Sequence, residues 1–222
     1  ILSGANTYTL GTLVSAGTLQ IGAGSTAGSV AGNMTNNALV IFNRSDALTH
    51  EGFIAGTGWI DKQGAGTLTL TNANTYSGGT LVTAGRLHGD TKGIQGNITN
   101  NAVVEFNLGA AGTYGGIMSG TGELVKQGLS RLTVSNNNTY SGATTISNYY
   151  LRITHTNALG STAAGTTIYN DGALELVGGV TIAPEPLTLR GVGYWGGGAL
   201  DNVSGDNTVP GAITLAAHST IR

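Results

Sequence analysis

Two motifs occur twice in this chain, and both pairs are separated by 64 positions. Residues 56–64 (GTGWIDKQG) return as residues 120–128 (GTGELVKQG), and residues 33–38 (NMTNNA) return as residues 97–102 (NITNNA). A fixed period predicts an array of one structural unit, in which each copy buries its apolar face by stacking on its neighbours. The period therefore constrains the architecture more than any other feature of the sequence.

A shorter period divides the 64-residue unit. Residues 59–64, 80–85, 102–107 and 123–128 align at steps of 21, 22 and 21. In this alignment Asp61 falls in a column otherwise filled by valine and isoleucine, where we expect a solvated side chain at a coil edge. The same ladder continues through the C-terminal part of the chain, so one coil comprises about three short strands with turns.

The strand signal is an alternation of apolar residues with Thr, Ser or a charge. Asn and Gly punctuate each run, and no stretch of 11 residues has a helical stripe, so we expect essentially no helix. The residues predicted to point inward are Leu68, Leu70, Leu132, Val134, Leu151, Ile153, Leu174, Leu176, Leu187, Leu189, Ile213 and Leu215.

Short strands at this spacing also suit a sandwich or a barrel, but those folds do not require residue identity to recur at about every twenty-first position. We therefore predict an all-β fold, a right-handed parallel β-helix (β-solenoid) of about ten coils of roughly 21 residues, with coils about 4.8 Å apart. Residues 1–222 are predicted to be one solenoid segment with repeat units at about 6–73, 74–137 and 138–222. The numbering starts inside a motif, so we expect a piece of a longer repeat protein.

Composition excludes several classes of function. The chain has 222 residues, 40% of them hydrophobic, which is enough to bury a core. Only 9% are charged, the net charge is −2, and the Lys and Arg residues are scattered singly, so no nucleic-acid partner is predicted. No run approaches the roughly 20 apolar residues of a transmembrane segment. The absence of cysteine excludes disulfides and thiolate metal sites.

Residues 56–85 resemble the autotransporter-associated β-strand repeat, the passenger-associated repeat of bacterial surface and secreted proteins. The pattern recurs in weaker form at residues 120–147 and 2–19, and residues 165–221 resemble the later coils of such passengers. The resemblance implies an extracellular or cell-surface location, a β-helical stalk, and links to adhesion, aggregation and biofilm formation. It supplies no catalytic motif.

No constellation of residues predicts chemistry. His50, His88, His155 and His218 are spaced too widely for a metal motif, and we expect them at the surface. Glu105 lies 18 positions before Glu123, but neither column holds a second acid. No nucleophile elbow, phosphate loop or dinucleotide fingerprint is present. We predict no catalytic residue, no cofactor, no metal and no enzymatic activity.

Two aromatic pairs are the candidate contact residues, namely Tyr149 with Tyr150 and Tyr194 with Trp195. Exposed aromatic pairs stack on sugars or anchor protein partners. The alternative is that these side chains cap turns or wedge between coils. Tyr194 and Trp195 lie in a glycine-rich loop that interrupts the ladder, so they are the first candidates for a contact site.

The predicted function is that of a structural or adhesive surface β-helix. It would present a stalk or self-associate through coil ends or solenoid faces into aggregates or filaments, because neither end of the chain looks like a cap. Other possible partners are glycans and host or cell-surface components. The alternative function is a carbohydrate-binding or polysaccharide-processing β-helix, with Tyr and Trp lining one face.

Overall fold

The computed structural model describes residues 1–8 and 10–222. Over these residues the chain is all-β, and its parallel strands stack as a β-solenoid of about nine turns, close to the ten that were predicted. The helical structure in the described part is a short 3₁₀ turn at Tyr194–Gly196. The predicted fold class is therefore confirmed.

The chain divides into two compact units, Ile1–Val104 and Glu105–Arg222. The three repeat units inferred from the 64-residue period remain a prediction. The strands of the first unit are β1 (Ala5–Asn6), β2 (Thr12–Val14), β3 (Thr18–Ile21), β4 (Ser29–Val30), β5 (Met34–Asn36), β6 (Leu39–Asn43), β7 (Leu48–His50), β8 (Ile54–Ala55), β9 (Trp59–Gln63), β10 (Thr67–Leu70), β11 (Gly79–Val82), β12 (Arg86–Gly89) and β13 (Ile98–Asn100), and β14 (Val103–Asn107) contains the boundary.

The second unit contains longer strands and the 3₁₀ turn. Its elements are β15 (Gly112–Tyr114), β16 (Met118–Ser119), β17 (Glu123–Gln127), β18 (Leu132–Val134), β19 (Thr144–Ile153), β20 (Thr166–Val177), β21 (Leu187–Leu189), η1 (Tyr194–Gly196), β22 (Leu200–Ser204) and β23 (Ile213–Leu215).

The strand pairs of the first unit measure the length of a turn. Thr18 pairs with Leu39, Leu39 pairs with Trp59, and Thr80 pairs with Ile98, which are steps of 21, 20 and 18 residues. These turns are therefore 18 to 21 residues long, equal to the predicted coil or slightly shorter. Because successive turns are parallel and in register, similar side chains stack in columns.

The register differs by one residue from the alignment made on the sequence. Trp59 pairs with Gly79 rather than with Thr80, and the strand that follows β11 in this sheet is β13 rather than residues 102–107. A slip of one residue moves every side chain of a strand to the opposite face. The alignment of motifs therefore predicted that turns stack in columns, but it assigned the wrong residues to each column.

Asp61 shows the consequence of this slip. It lies between Ile41 and Leu81 in the sheet, not in the predicted column of valine and isoleucine residues. Its carboxylate accepts hydrogen bonds from Gln63 Nε2 at 2.6 Å and from Thr83 Oγ1 at 2.7 Å. The side chain is buried by these neighbours, so the expectation of a solvated residue was wrong.

The two NxTNNA motifs of the first unit lie in different sheets. The first copy contributes β5, which pairs with β2 and β8, whereas the second contributes β13, which pairs with β11 in the sheet of β3, β6 and β9. Strand β13 lies three full turns after β6, and β6 is the next strand after β5 in the chain. The 64-residue displacement is the sum of these two distances along the sequence. Sequence copies of this repeat do not stack on one another.

The apolar residues predicted to point inward are buried, with two exceptions in the last strand. Ile213 and Leu215 pair with Leu187 and Leu189, yet they are 38% and 59% exposed. Strand β23 is the terminal strand of its sheet. Among the described residues no further strand covers it, so these side chains keep contact with solvent.

His50 is also misplaced by the sequence prediction, because it lies in the core rather than at the surface. It pairs with Leu70 of the next turn and so points inward, and its ring centroid is 5.9 Å from that of Phe42. Within the described part of the chain, its Nε2 has no hydrogen-bond partner. Burial lowers the pKa of the imidazole, because a charged ring would lose its hydration there.

The lysine of each KQG motif points into the core. Lys62 pairs with the fully buried Val82, and its Nζ donates hydrogen bonds to the carbonyl oxygens of Gln63, Gly64 and Ala84 at 2.8, 2.9 and 3.1 Å. The ammonium group therefore replaces water with three backbone acceptors, as buried charges require.

Lys126 makes the same arrangement in the second unit. Its Nζ donates to the carbonyl oxygens of Gln127, Gly128 and Asn148 at 2.7, 3.2 and 3.1 Å. Burial lowers the pKa of both Lys62 and Lys126 to about 8. The repeated motif thus conserves a buried cation within this chain, which the overall charge count did not indicate.

The asparagine of the second and third NTY motifs connects three successive turns. In the second unit, Asn138 Oδ1 accepts the backbone N–H of Met118 at 2.8 Å, and its Nδ2 donates to the carbonyl oxygen of Ala158 at 2.8 Å. Asn74 makes the equivalent pair of bonds in the first unit, both at 2.7 Å. Where the chain turns between strands, the side chain therefore takes the place of a ladder hydrogen bond.

Candidate contact site in the second unit

The candidate site begins at the bend of the two longest strands. The first half of β19 pairs with β17 and its second half pairs with β18, so this strand belongs to two stacks. Its register with β20 shifts between Ile146 and Asn148. Gly172 lies opposite Tyr149, and a Cβ atom there would lie 2.4 Å from the carbonyl oxygen of Ile146. The bend therefore requires glycine and directs Tyr149 and Tyr150 to the outside.

The loop between β21 and β22 brings the second aromatic pair to the same place. The ring centroids of Tyr149 and Tyr150 are 4.7 Å apart, and Tyr194 lies 4.4 Å from Tyr149 and 5.8 Å from Tyr150. Trp195 stacks on Tyr194 at 5.7 Å with an interplanar angle of 23°. The four residues predicted from the sequence thus form one aromatic cluster, although 44 positions separate Tyr150 from Tyr194.

The cluster is packed at its base and open at its tip. The three tyrosines are half-buried, whereas Trp195 is 91% exposed. Tyr149 and Trp195 have φ values of 59° and 51°, and they are the residues other than glycine with positive φ in the described part of the chain. Such backbone conformations cost about 1–3 kcal/mol and persist where the surroundings hold them, often at functional sites.

A network of two arginines and one glutamate adjoins the cluster. The guanidinium of Arg131 lies 5.3 Å from the ring centroid of Tyr150. Its Nε and Nη2 donate to the carboxylate of Glu175 at 2.8 and 3.0 Å, and Arg152 Nε donates to the same carboxylate at 2.8 Å. The Glu175 carboxylate raises the pKa of Arg131, and burial raises the pKa of Tyr150.

The next turn adds a weaker charge pair to this face. Asp201 pairs with Glu175 in the ladder, and its carboxylate lies 3.9 Å from Arg222 Nε. The exposed face beside the cluster therefore presents both hydrogen-bond donors and acceptors.

The sequence analysis missed Arg131, Arg152 and Glu175. A signal was present for two of them, because Arg152 and Glu175 each lie between two inward-facing aliphatic residues and are 23 positions apart, about one turn. That pattern predicts two outward side chains of opposite charge on neighbouring turns. The position of Arg131, two turns from Glu175, had no such signal.

The other residues weighed for chemistry do not assemble into a site. Glu105 is buried, and Glu123 is half-buried and accepts a hydrogen bond from Thr145 Oγ1 at 2.7 Å. Among residues 1–8 and 10–222, no group of three or more His, Asp or Glu side chains is placed to hold a metal ion. In the same residues, no helix has the length and apolar character needed to cross a membrane.

Three segments of the chain match a known repeat. The model of the passenger-associated-transport-repeat matches residues 1–21, 60–88 and 124–148. These segments contain both buried KQG lysines and all three NTY motifs. This chain carries the passenger-associated-transport-repeat. The family resemblance seen in the sequence is thereby confirmed.

A curated relative of this chain is the adhesin BmaC autotransporter of Brucella suis biovar 1 (strain 1330). The two are 35% identical over 153 residues, which cover 62% of this chain and 4% of that protein. This chain thus spans only a small part of that relative's length. No solved structure matches it significantly.

The repeat and the relative together indicate a passenger that is exposed on the cell surface or secreted. The aromatic cluster lies outside the segments that match the repeat, since these end at residue 148. The repeat therefore does not account for the cluster.

Proposed function

We propose that this chain is an adhesive segment of a surface passenger, in which the stacked turns form a rigid support and the aromatic cluster is the contact surface. The observation that carries the proposal is Trp195, a nearly fully exposed indole stacked on Tyr194, which itself packs against Tyr149 and Tyr150. Trp, Tyr and Arg are the residue types that dominate binding energy at contact surfaces. The partner would be a component of a host or bacterial cell surface, and the segment would have no catalytic role.

Attachment of protein-coated beads to cell layers tests this proposal. Replacing Trp195 by alanine should reduce attachment at least tenfold, since removal of a central aromatic residue at a contact surface typically costs about 2 kcal/mol or more. Trp59→Ala is the matched control, because Trp59 is also exposed but lies in the first unit. Equal attachment by the two variants would contradict the proposal.

A second candidate function is self-association into aggregates or filaments. It is favoured by the exposed apolar side chains of Ile213 and Leu215 on the terminal strand β23. An edge strand with apolar side chains can pair with a strand of another copy unless charge or a cap prevents it. Where no further turn of the same protein covers β23, its edge would join coil ends or solenoid faces of two copies.

Sedimentation velocity over a range of concentrations tests self-association. Leu215→Lys should reduce the associated fraction, because association would bury the apolar face of β23 and a charge on that face would lose its hydration. The control is Thr214→Lys, which places the same charge at the adjacent position of β23, where the side chain points to the opposite face. A monomeric protein at every concentration would refute this candidate.

A further inference from the structure

We propose that the aromatic cluster and its arginines bind an oligosaccharide that contains a carboxylated sugar. This inference rests on the proposed function and names the ligand class of the same surface. It is carried by a row of four side chains, Arg131, Tyr150, Tyr194 and Trp195. Successive members are separated by 5.3, 5.8 and 5.7 Å. Four successive side chains, with an exposed indole at one end and a cation at the other, suit a chain of sugars better than a single sugar.

The aromatic end has the features of a stacking platform. A pyranose ring has an apolar face of C–H groups and a rim of hydroxyl groups, so it packs flat against an exposed indole. Trp195 offers such a ring, and Tyr194 supports it from one side at an interplanar angle of 23°. Because Tyr149 packs against Tyr194 at 4.4 Å, the platform is formed before a ligand arrives, which lowers the entropic cost of binding.

The opposite end of the row favours a negative charge. Arg131 and Arg152 share the single carboxylate of Glu175, so this group of three side chains carries one uncompensated positive charge. Glu175 is buried, whereas the side chains of Arg131 and Arg152 are 35% and 26% exposed. A guanidinium group binds a carboxylate through two parallel hydrogen bonds, and because Glu175 occupies Nε and Nη2 of Arg131, a ligand carboxylate would bind on its Nη1 side. A uronic or sialic acid unit at this end would complete the charge balance.

The surrounding surface suits a polar, hydroxyl-rich ligand. Asp201 and Arg222 lie on the next turn along the same face, separated by 3.9 Å. They add an acceptor and a donor beside the row, and sugar hydroxyl groups require both. A protein partner would contact about 20–30 residues of this chain, many more than the cluster and its charged neighbours provide.

Trp fluorescence provides a direct test, because the chain contains two tryptophans. In a Trp59→Phe background, Trp195 is the sole indole and its emission reports the cluster. Titration with oligogalacturonate or sialyllactose should change this emission in a saturable way, whereas the neutral counterparts, galactan oligomers and lactose, should bind at least tenfold more weakly. Equal affinity for acidic and neutral sugars, or no saturable change with either, would overturn the inference.

Variants assign the two ends of the row. By calorimetry, Trp195→Ala and Arg131→Met should each weaken binding of oligogalacturonate at least tenfold. Raised salt should weaken it further, because the charge contact is exposed. Arg190→Met is the matched control, since Arg190 also lies over a tyrosine ring, that of Tyr169 at 5.9 Å. Thermal melting must show that each variant is folded, and equal effects of Arg131→Met and Arg190→Met would overturn the assignment.

The outcome separates this inference from the proposed function. If Trp195→Ala abolishes bead attachment while no oligosaccharide binds and protease treatment of the cells removes the partner, the ligand is a protein and the inference fails. If acidic oligosaccharides bind at Trp195 but bead attachment does not depend on this residue, the inference holds and the proposed function fails.

Discussion

At the residue scale, the buried ammonium groups of the KQG motif combine a charge with three backbone acceptors. Replacing Lys126 by methionine should lower the free energy of unfolding at pH 7 by about 1–3 kcal/mol, because buried carbonyl oxygens lose their donor. Urea denaturation measures the change. Lys92→Met is the control, since Lys92 is exposed. An equal loss in both variants would show that the three hydrogen bonds of Lys126 contribute nothing to stability.

The same lysines predict that the free energy of unfolding depends on pH in the alkaline range. The pKa of Lys62 and Lys126 is about 8 in the folded chain and about 10.4 in the unfolded chain. Between these values the unfolded state binds more protons, so the free energy of unfolding should rise as pH increases from 8 to about 10. The rise should be smaller in Lys126→Met, as measured by urea denaturation at several pH values. A slope identical to that of the unaltered chain would contradict this origin.

His50 predicts a loss of stability in acid. Burial lowers its pKa, so its contribution to the free energy of unfolding is complete above about pH 6.5, the pKa in the unfolded chain. This contribution is lost as the pH falls through the lower pKa of the folded chain. The paired residue on the next turn is the buried Leu70. Leucine therefore suits this inward-facing position, and His50→Leu is the variant to test. Thermal melting at pH 5 and pH 8 should show a smaller difference for His50→Leu than for the unaltered chain. An unchanged difference would assign the acid sensitivity to other groups.

At the scale of elements, the NTY asparagine joins turns where the strands are interrupted. Asn138→Ala should lower the free energy of unfolding by about 2–4 kcal/mol, because it leaves a buried backbone N–H of Met118 and a buried carbonyl of Ala158 without partners. Asn137→Ala is the control, since that side chain is exposed. Urea denaturation of both variants measures the difference, and similar losses would show that the bridge is not structural.

Strand geometry explains why the candidate site lies where it does. Strands β19 and β20 each continue around a corner, and the corner holds Tyr149 and Tyr150. The steps between paired leucines in this stack lengthen from 19 residues (Leu132 to Leu151) to 23 (Leu151 to Leu174) and 26 (Leu174 to Leu200). The added residues form the bend and the glycine-rich loop that bring the aromatic pairs together.

At the scale of the whole molecule, low charge governs colloidal behaviour. The chain has a net charge of −2 at pH 7 and an isoelectric point near 6.0, with 9% charged residues. Light scattering should therefore show the greatest association near pH 6 and less association at pH 9, where the net charge is larger. Association that does not change between these values would indicate that net charge has no part in it.

Much of the architecture could be predicted from the sequence, because alternation and recurrence are local properties of the chain. Leu151 and Ile153, or Leu187 and Leu189, point inward as the period of two requires. The resemblance of residues 56–85 to a passenger repeat also led to the correct family. The choice of Tyr149, Tyr150, Tyr194 and Trp195 as contact residues named four side chains that lie together, although their role remains a prediction.

The sequence by itself thus determined that the chain forms short strands that stack turn upon turn, because the alternation and the repeat period are written in residue order. Only the tertiary structure decided the register, the inward direction of Lys62, and the contact of Arg131 with Glu175. The physical reason is that turn length varies by a few residues from one coil to the next. A shift of a single residue moves each side chain across the sheet, and no local pattern specifies that shift.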